Sequence, residues 1–148
     1  MSTIPRPHGH HVLTPSSVTA ETAAVISFIE EAFAGKVVDR YDGPEGTIHH
    51  AELLVGDSVL MLGDLPPNDA PRPAQLTVYM DDADEVARAY KRAINAGAET
   101  IEQPSTKPWG YHSACVSDVG GNRWTICAIV EALNHDEIEQ RMRALSEA

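Results

Sequence analysis

Seven histidines, two cysteines and a few paired carboxylates are the side chains of this 148-residue chain whose types could do chemistry. His49 and His50 open the run HHAELLVGDSVLMLGD (His49–Asp64), and Glu52 follows His50 by two residues. Imidazole and carboxylate are donors for a divalent transition metal and general bases near neutral pH. Neighbouring residues of a strand point to opposite faces, so His49 and His50 cannot both serve one cavity. His112 opens an equivalent strand later in the chain, and one of His49 or His50 with His112 and Glu52 would form a small polar cluster. Histidines that merely face solvent or are satisfied in the core are the alternative. His8, His10 and His11 fall close together where two prolines and a glycine mark a loose arm, so they read as a polar tail without the fixed scaffold a metal needs.

Other chemistries find little support. Cys115 and Cys127 lie in apolar, strand-like contexts and read as buried free thiols. Asp81, Asp82 and Asp84 read as the acidic start of a helix. Gly120-Gly121 is not followed by the helix N-terminus that would make it a phosphate cradle. No nucleophile elbow, P-loop or dinucleotide glycine fingerprint occurs.

The elements that must position these residues follow from periodicity. His11–Thr14 is expected to start the first strand, with Pro15 marking an edge or an end. Thr19 is expected to cap a helix running through Thr22–Phe33, with Val25, Ile26, Ile29, Ala32 and Phe33 on one face and Gly35 as the stop. Lys36–Tyr41 is a short strand, and His49–Asp64 is a hairpin turning at Gly56-Asp57. The segment 65–74, with four prolines, reads as a linker. The pattern then restarts: strand Gln75–Met80, helix Ala83–Ala96 behind the cap Asp81-Asp82, strand Ala98–Gln103, loop Pro104–Trp109, and a second hairpin, Tyr111–Asp118 with Asn122–Val130. Asn134–Leu145 forms a last helix, acidic at its start and basic near its end. The chain is therefore α+β and uses one βαβββ unit twice, at 11–64 and 75–130, with 131–148 as a C-terminal helical segment.

At 148 residues with 43% hydrophobic content, one compact domain spanning 1–148 is expected. A formal charge of −11 argues against capture of nucleic acid or of an anionic membrane, both of which need a basic face. No apolar run approaches the ~20 residues of a membrane span, and no signal-peptide core precedes Ser16. A cytoplasmic location is expected.

Several stretches together resemble the vicinal oxygen chelate superfamily of glyoxalase I, bleomycin resistance proteins and extradiol dioxygenases, nearest to its PhnB-like, glyoxalase-like branch. They are Thr14-Pro15, EEAFAG (Glu30–Gly35), DGPEGTIHHAELLVGDSVLMLGD (Asp42–Asp64), LTVYMDDADEVARAYKRAINAGAE (Leu76–Glu99), DVGGNRWTI (Asp118–Ile126) and the terminal EIEQRM. The resemblance spans most of His11–Arg143 and implies two modules curling into a half-open barrel with helices outside, a cavity within, and a homodimer. The superfamily's enzymes hold a divalent metal with His, Glu or Gln on the first and last strand of each module. Laid on that pattern, this chain offers Thr14 and Met61 in the first module and Gln75 and Thr125 in the second. Only Gln75 is a suitable ligand type, so the usual metal is expected to be lost and no cofactor is expected.

Strand alternation from those positions places Val59, Thr77, Tyr79, Arg123 and Cys127 on the same faces. Trp109, Gly110, Tyr111 and His112 form an aromatic loop able to fold over a ligand, while Trp124 reads as core. The expected function is binding of a small organic ligand in the cavity by Thr14, Met61, Gln75, Tyr79, Trp109, Tyr111, His112 and Thr125. The competing expectation is a lyase, isomerase or dioxygenase-type enzyme. It would use either a non-standard metal site built around His50 and Gln75, or His50 or His112 as general base.

Overall fold

Gly56 takes φ 58° between Val55 and Ser58, which pair directly, so the chain reverses in two residues and the apolar runs on either side become adjacent strands. That hairpin sits inside the first of two similar units. A computed structural model describes residues 2–147. It runs β1 (Ser16–Thr19), α1 (Thr22–Phe33), β2 (Lys36–Asp42), β3 (Ile48–Val55), β4 (Ser58–Asp64), β5 (Gln75–Tyr79), α2 (Ala83–Asn95), β6 (Glu99–Thr106), β7 (Tyr111–Ser117), β8 (Arg123–Ile129) and α3 (His135–Ser146). The strands form two four-stranded mixed sheets, ordered β1-β4-β3-β2 and β5-β8-β7-β6. In each, the first strand runs parallel to the last, and the other pairs are antiparallel. The fold is α+β, a pair of βαβββ units followed by a helix.

Both helices cover the same side. The apolar stripe of α1 and the smaller stripe of α2 (Val86, Ala89, Ala93) share one core with Ala51, Leu53, Leu60 and Leu62 of the first sheet and Val116, Trp124, Ile126 and Ala128 of the second. Phe33 and Trp124 join the halves with ring centroids 4.8 Å apart. Between the modules, Arg72 pairs with Val18 through two backbone hydrogen bonds of 2.9 and 3.1 Å, so the proline-rich linker is bound to the edge of β1. No helix among the described residues is long and apolar enough to cross a membrane.

The first strand corrects the sequence reading. His11–Thr14 is not a strand, and its Val12 and Leu13 are each 88% exposed. The strand is Ser16–Thr19, whose Ser17 and Thr19 are buried as small hydroxyl residues, Ser17 donating to Asn122 Oδ1. A buried polar residue with a partner costs little, but leaves no apolar alternation to read. Thr19 consequently ends β1, and the first turn of α1 is instead served by Asp64 Oδ1, 3.3 Å from the Thr22 amide. β6 runs on through Pro104, which an edge strand tolerates beside irregular register.

The helix stop also moves by one residue. Ala34, not Gly35, takes the left-handed conformation (φ 53°, ψ 34°) at the end of α1. A Cβ there is strained where glycine would not be. Ala34→Gly is expected to raise stability by about 0.5–1 kcal/mol, seen as a higher urea midpoint at unchanged m-value. A loss of stability would show that the Ala34 side chain contributes more than its strain removes.

Candidate functional site

Alternation along the strands divides each sheet into a helix-side face and a free face. On the first sheet Ala51, Leu53, Leu60 and Leu62 enter the core, which leaves His50, Glu52, Val59 and Met61 on the free face. Ser16 joins them as the parallel partner of Met61. On the second sheet Trp124, Ile126, Ala114 and Val116 face the helices. Gln75, Thr77, Tyr79, Arg123, Thr125 and Cys127 share the free face through the pairs Gln75–Arg123, Thr77–Thr125 and Tyr79–Cys127.

The densest polar arrangement on either free face is built on Glu52. His50 Nε2 lies 2.9 Å from one carboxylate oxygen and His10 Nε2 lies 2.7 Å from the other. The His10 and Glu52 side chains are only 5% and 13% exposed. His10 comes from the N-terminal arm, which continues into a bond between His11 Nε2 and the Asp57 carbonyl at the hairpin turn (2.8 Å). The arm is therefore fastened to the first sheet at two points, and the reading of His8, His10 and His11 as a polar tail is corrected for His10 and His11. Sequence spacing shows that His50 and Glu52 share a face. The contact of His10 across 42 residues has no local signal.

Burial alone would raise the Glu52 carboxyl, but the hydrogen bonds from His50 and His10 outweigh it and hold the group below the usual carboxylate range. A depressed folded value means that stability is present above the unfolded value and is lost as pH falls through the folded one. The advantage of wild type over Glu52→Gln in urea midpoint is thus expected to be full at pH 6 and to shrink below pH ~4. A difference that grows on acidification would contradict the clasp.

Two cavities border these faces. One, about 290 Å³, lies on the first sheet and includes Ser16, Val18, His50, Met61 and Arg72. The other, about 380 Å³ and mostly apolar, lies between the hairpin tip and β5, against Phe33, Tyr79, Met80 and Trp124. Of the residues singled out from sequence, His49, His50 and Met61 border the first cavity and Val59, Thr77 and Tyr79 the second. The expectation that His49 and His50 cannot share a cavity is corrected, because strict alternation is interrupted at the start of β3, where the register with β2 shifts. Thr14 precedes β1 and bonds the His11 carbonyl (3.1 Å), so Ser16 takes the place beside Met61 that the reading gave to Thr14. Gln75 and Thr125 are on the second sheet, apart from His50. His112 points to the side of Ala114 and Val116 and bonds Thr106 Oγ1 at 2.9 Å, so it does not join His50 and Glu52. Trp109 and Tyr111 flank Gly110 and are half-buried, and Trp124 is core, donating from Nε1 to Asp118 Oδ2 at 2.8 Å. Cys115 and Cys127 are buried free thiols.

The residues at the strand positions where the resemblance implies metal ligands do not fit one. In the first module Met61 stands beside Ser16, and in the second Gln75 and Thr125 lie on neighbouring strands but pair with Arg123 and Thr77. These positions therefore hold no imidazole or carboxylate and only the amide of Gln75 as a ligand type. Among the described residues, His135, Asp136 and Glu139 are the group with ligand atoms in mutual reach, and all three are exposed at the start of α3. His10 and His50 bind opposite oxygens of Glu52 and do not converge as a three-ligand set.

Residues 9–126 match the family described as Glyoxalase/Bleomycin resistance protein/Dioxygenase superfamily. The chain is 30% identical over 139 residues to the uncharacterised protein Mb0911c of Mycobacterium bovis, covering 88% of this chain and 91% of that protein. Among solved structures it is similar to TioX from Micromonospora sp. ML1, with a TM-score of 0.64 and 22% identity over 79% of this chain and 97% of that one. The PhnB protein of Bacillus cereus, a putative 3-demethylubiquinone-9 3-methyltransferase, superposes with a TM-score of 0.64 at 17% identity, over 80% of this chain and 99% of that one. At these identities the structural likeness speaks to the fold. By its family match, the chain belongs to the glyoxalase/bleomycin resistance protein/dioxygenase superfamily.

Proposed function

We propose that this chain binds a small organic molecule on the free face of its sheets without the metal of the superfamily's enzymes, as a homodimeric, PhnB-like member acting in the cytoplasm. The observation that carries the reading is the pair Ser16–Met61 at the floor of the 290 Å³ cavity. A thioether and a small hydroxyl suit contact with an organic ligand and suit a hard or borderline metal poorly. Two buried free thiols support a reducing compartment. Tyr41, Tyr79 and Ile129, each more than half exposed, support a second copy over the free faces. Acid–base catalysis by His50 is a second reading, favoured by its 2.9 Å bond to Glu52, because a carboxylate-oriented imidazole is a general-base arrangement.

Metal analysis of protein purified without a His-tag, followed by titration with Zn, Ni, Mn and Fe(II), tests the metal-independent reading. Substoichiometric metal and no saturable uptake are expected. Tight one-to-one metal that is lost in Gln75→Ala and His50→Ala would overturn it.

A further inference from the structure

Glu52 stands directly across the ladder from Asp39, so two carboxylates face each other on the free face of the first sheet. Like charges at such a position oppose folding unless something cationic or hydrogen-bonding lies between them and solvent. Tyr41 is the cross-strand partner of His50, with ring centroids 6.3 Å apart, and its hydroxyl donates to Asp39 (3.0 Å). Met61 is the partner of Glu52 on the other side. The nearby Arg72 does not neutralise this patch, because its guanidinium is bound to Asp69 (2.9 Å). The surroundings of Glu52 are thus acidic, with an aromatic ring and a thioether beside them. These groups favour a flat organic cation through charge-assisted hydrogen bonding and contact with polarisable groups.

In the chain as it stands, an imidazole from the arm fills that position. His10 presents Nε2 to the Glu52 oxygen that His50 leaves free, while Val12 and Leu13 immediately after it remain in solvent. An arm that buries so little apolar surface is held mainly by these polar contacts, so it opens at lower cost than the strands beneath it. We propose that Glu52 recognises a cationic planar nitrogen group, of amidine or protonated heteroaryl type, on the ligand, and that His10 is a self-ligand which this group displaces. The inference rests on the free-face site proposed above and adds the chemical class of the ligand.

Benzamidine and its uncharged analogue benzamide test it on the full chain without a tag, with the His10 and His50 ring signals and the Met61 methyl signal followed by NMR. Benzamidine is expected to shift all three saturably and to bind roughly tenfold more tightly than benzamide, the size of one charge-assisted hydrogen bond. The isosteric Glu52→Gln should remove that preference, and His10→Ala should tighten benzamidine binding severalfold by removing the competitor. Equal affinities for the two compounds at the Met61 methyl would overturn the cation reading and leave the free-face site standing. Weaker benzamidine binding by His10→Ala would overturn the self-ligand. Silence of the Met61 methyl and His50 signals with both compounds would overturn the inference together with the site beneath it.

Discussion

Replacing Asp118 with alanine is expected to lower folding stability by about 3–5 kcal/mol, the largest effect of any substitution considered for this chain. Asp118 is buried in the turn between β7 and β8. Its Oδ1 accepts from the amides of Gly120 (2.9 Å) and Asn122 (3.0 Å), and its Oδ2 from Asn122 Nδ2 (3.0 Å) and Trp124 Nε1 (2.8 Å). Alanine leaves these donors unpaired, and each buried donor without a partner costs about 1–3 kcal/mol. The sum is discounted because the exposed side of the turn can be hydrated. Urea denaturation should show a lower midpoint at an unchanged m-value. A change under 1 kcal/mol would mean that water replaces the carboxylate and that the turn does not depend on it.

The effect should not stay in the second module. Asn122, fully buried, turns its Oδ1 to the Ser17 hydroxyl of β1 and to the Ala74 amide of the linker (2.8 Å). Loss of Asp118 frees the Asn122 amide that it orients, and with it the bond that makes the buried Ser17 tolerable. Amide exchange in Asp118→Ala is therefore expected to lose protection in β1 as well as in β8. Protection lost only between residues 118 and 124 would show the modules to be uncoupled at this point.

The same network explains what could and could not be read from the sequence. Elements that bury one apolar stripe or alternate strictly were legible: α1 and α2 from spacing, and the β3–β4 hairpin from Gly56-Asp57 between apolar runs. The shared free-face placement of Gln75, Thr77, Tyr79, Arg123, Thr125 and Cys127 follows from period two alone. β1 was not legible, because its buried residues are the hydroxyl residues Ser17 and Thr19, Ser17 being satisfied by Asn122 more than a hundred positions away, while the more apolar Val12 and Leu13 lie in solvent. The site was legible only in part for the same reason. The spacing of His50 and Glu52 fixes their common face, but His10 enters from a proline-rich arm by a tertiary contact, and His112 departs to the helix side. Local pattern reports which face a residue takes, and chain-distant contacts decide what meets it there.

Gly110→Ala is expected to cost about 2–4 kcal/mol, part of it from backbone conformation and the rest from a clash that no side chain can relieve. Gly110 has φ 90°, and a Cβ placed on it would lie 2.2 Å from the carbonyl oxygen of Glu131. That segment cannot easily retreat. The Gly110 carbonyl accepts from the amides of Val130 (2.9 Å) and Glu131 (3.0 Å), and Arg141 of α3 ties the Glu131 carboxylate (2.9 Å) to the Pro108 carbonyl (3.1 Å). Relieving the clash must therefore loosen the turn that holds Trp109 and Tyr111, or detach the start of the C-terminal segment. Gly97 supplies the control: its φ is 101° and a Cβ there meets nothing within 4 Å, so Gly97→Ala should cost only the conformational part, about 1 kcal/mol. With 2–4 °C of melting temperature per kcal/mol at about this chain length, Gly110→Ala should melt several degrees below Gly97→Ala and expose Trp109 to solvent, read as a red-shifted emission. Equal melting temperatures for the two variants would show that the 130–131 segment yields freely, and that the aromatic loop is not held in place by its contact with the C-terminal segment.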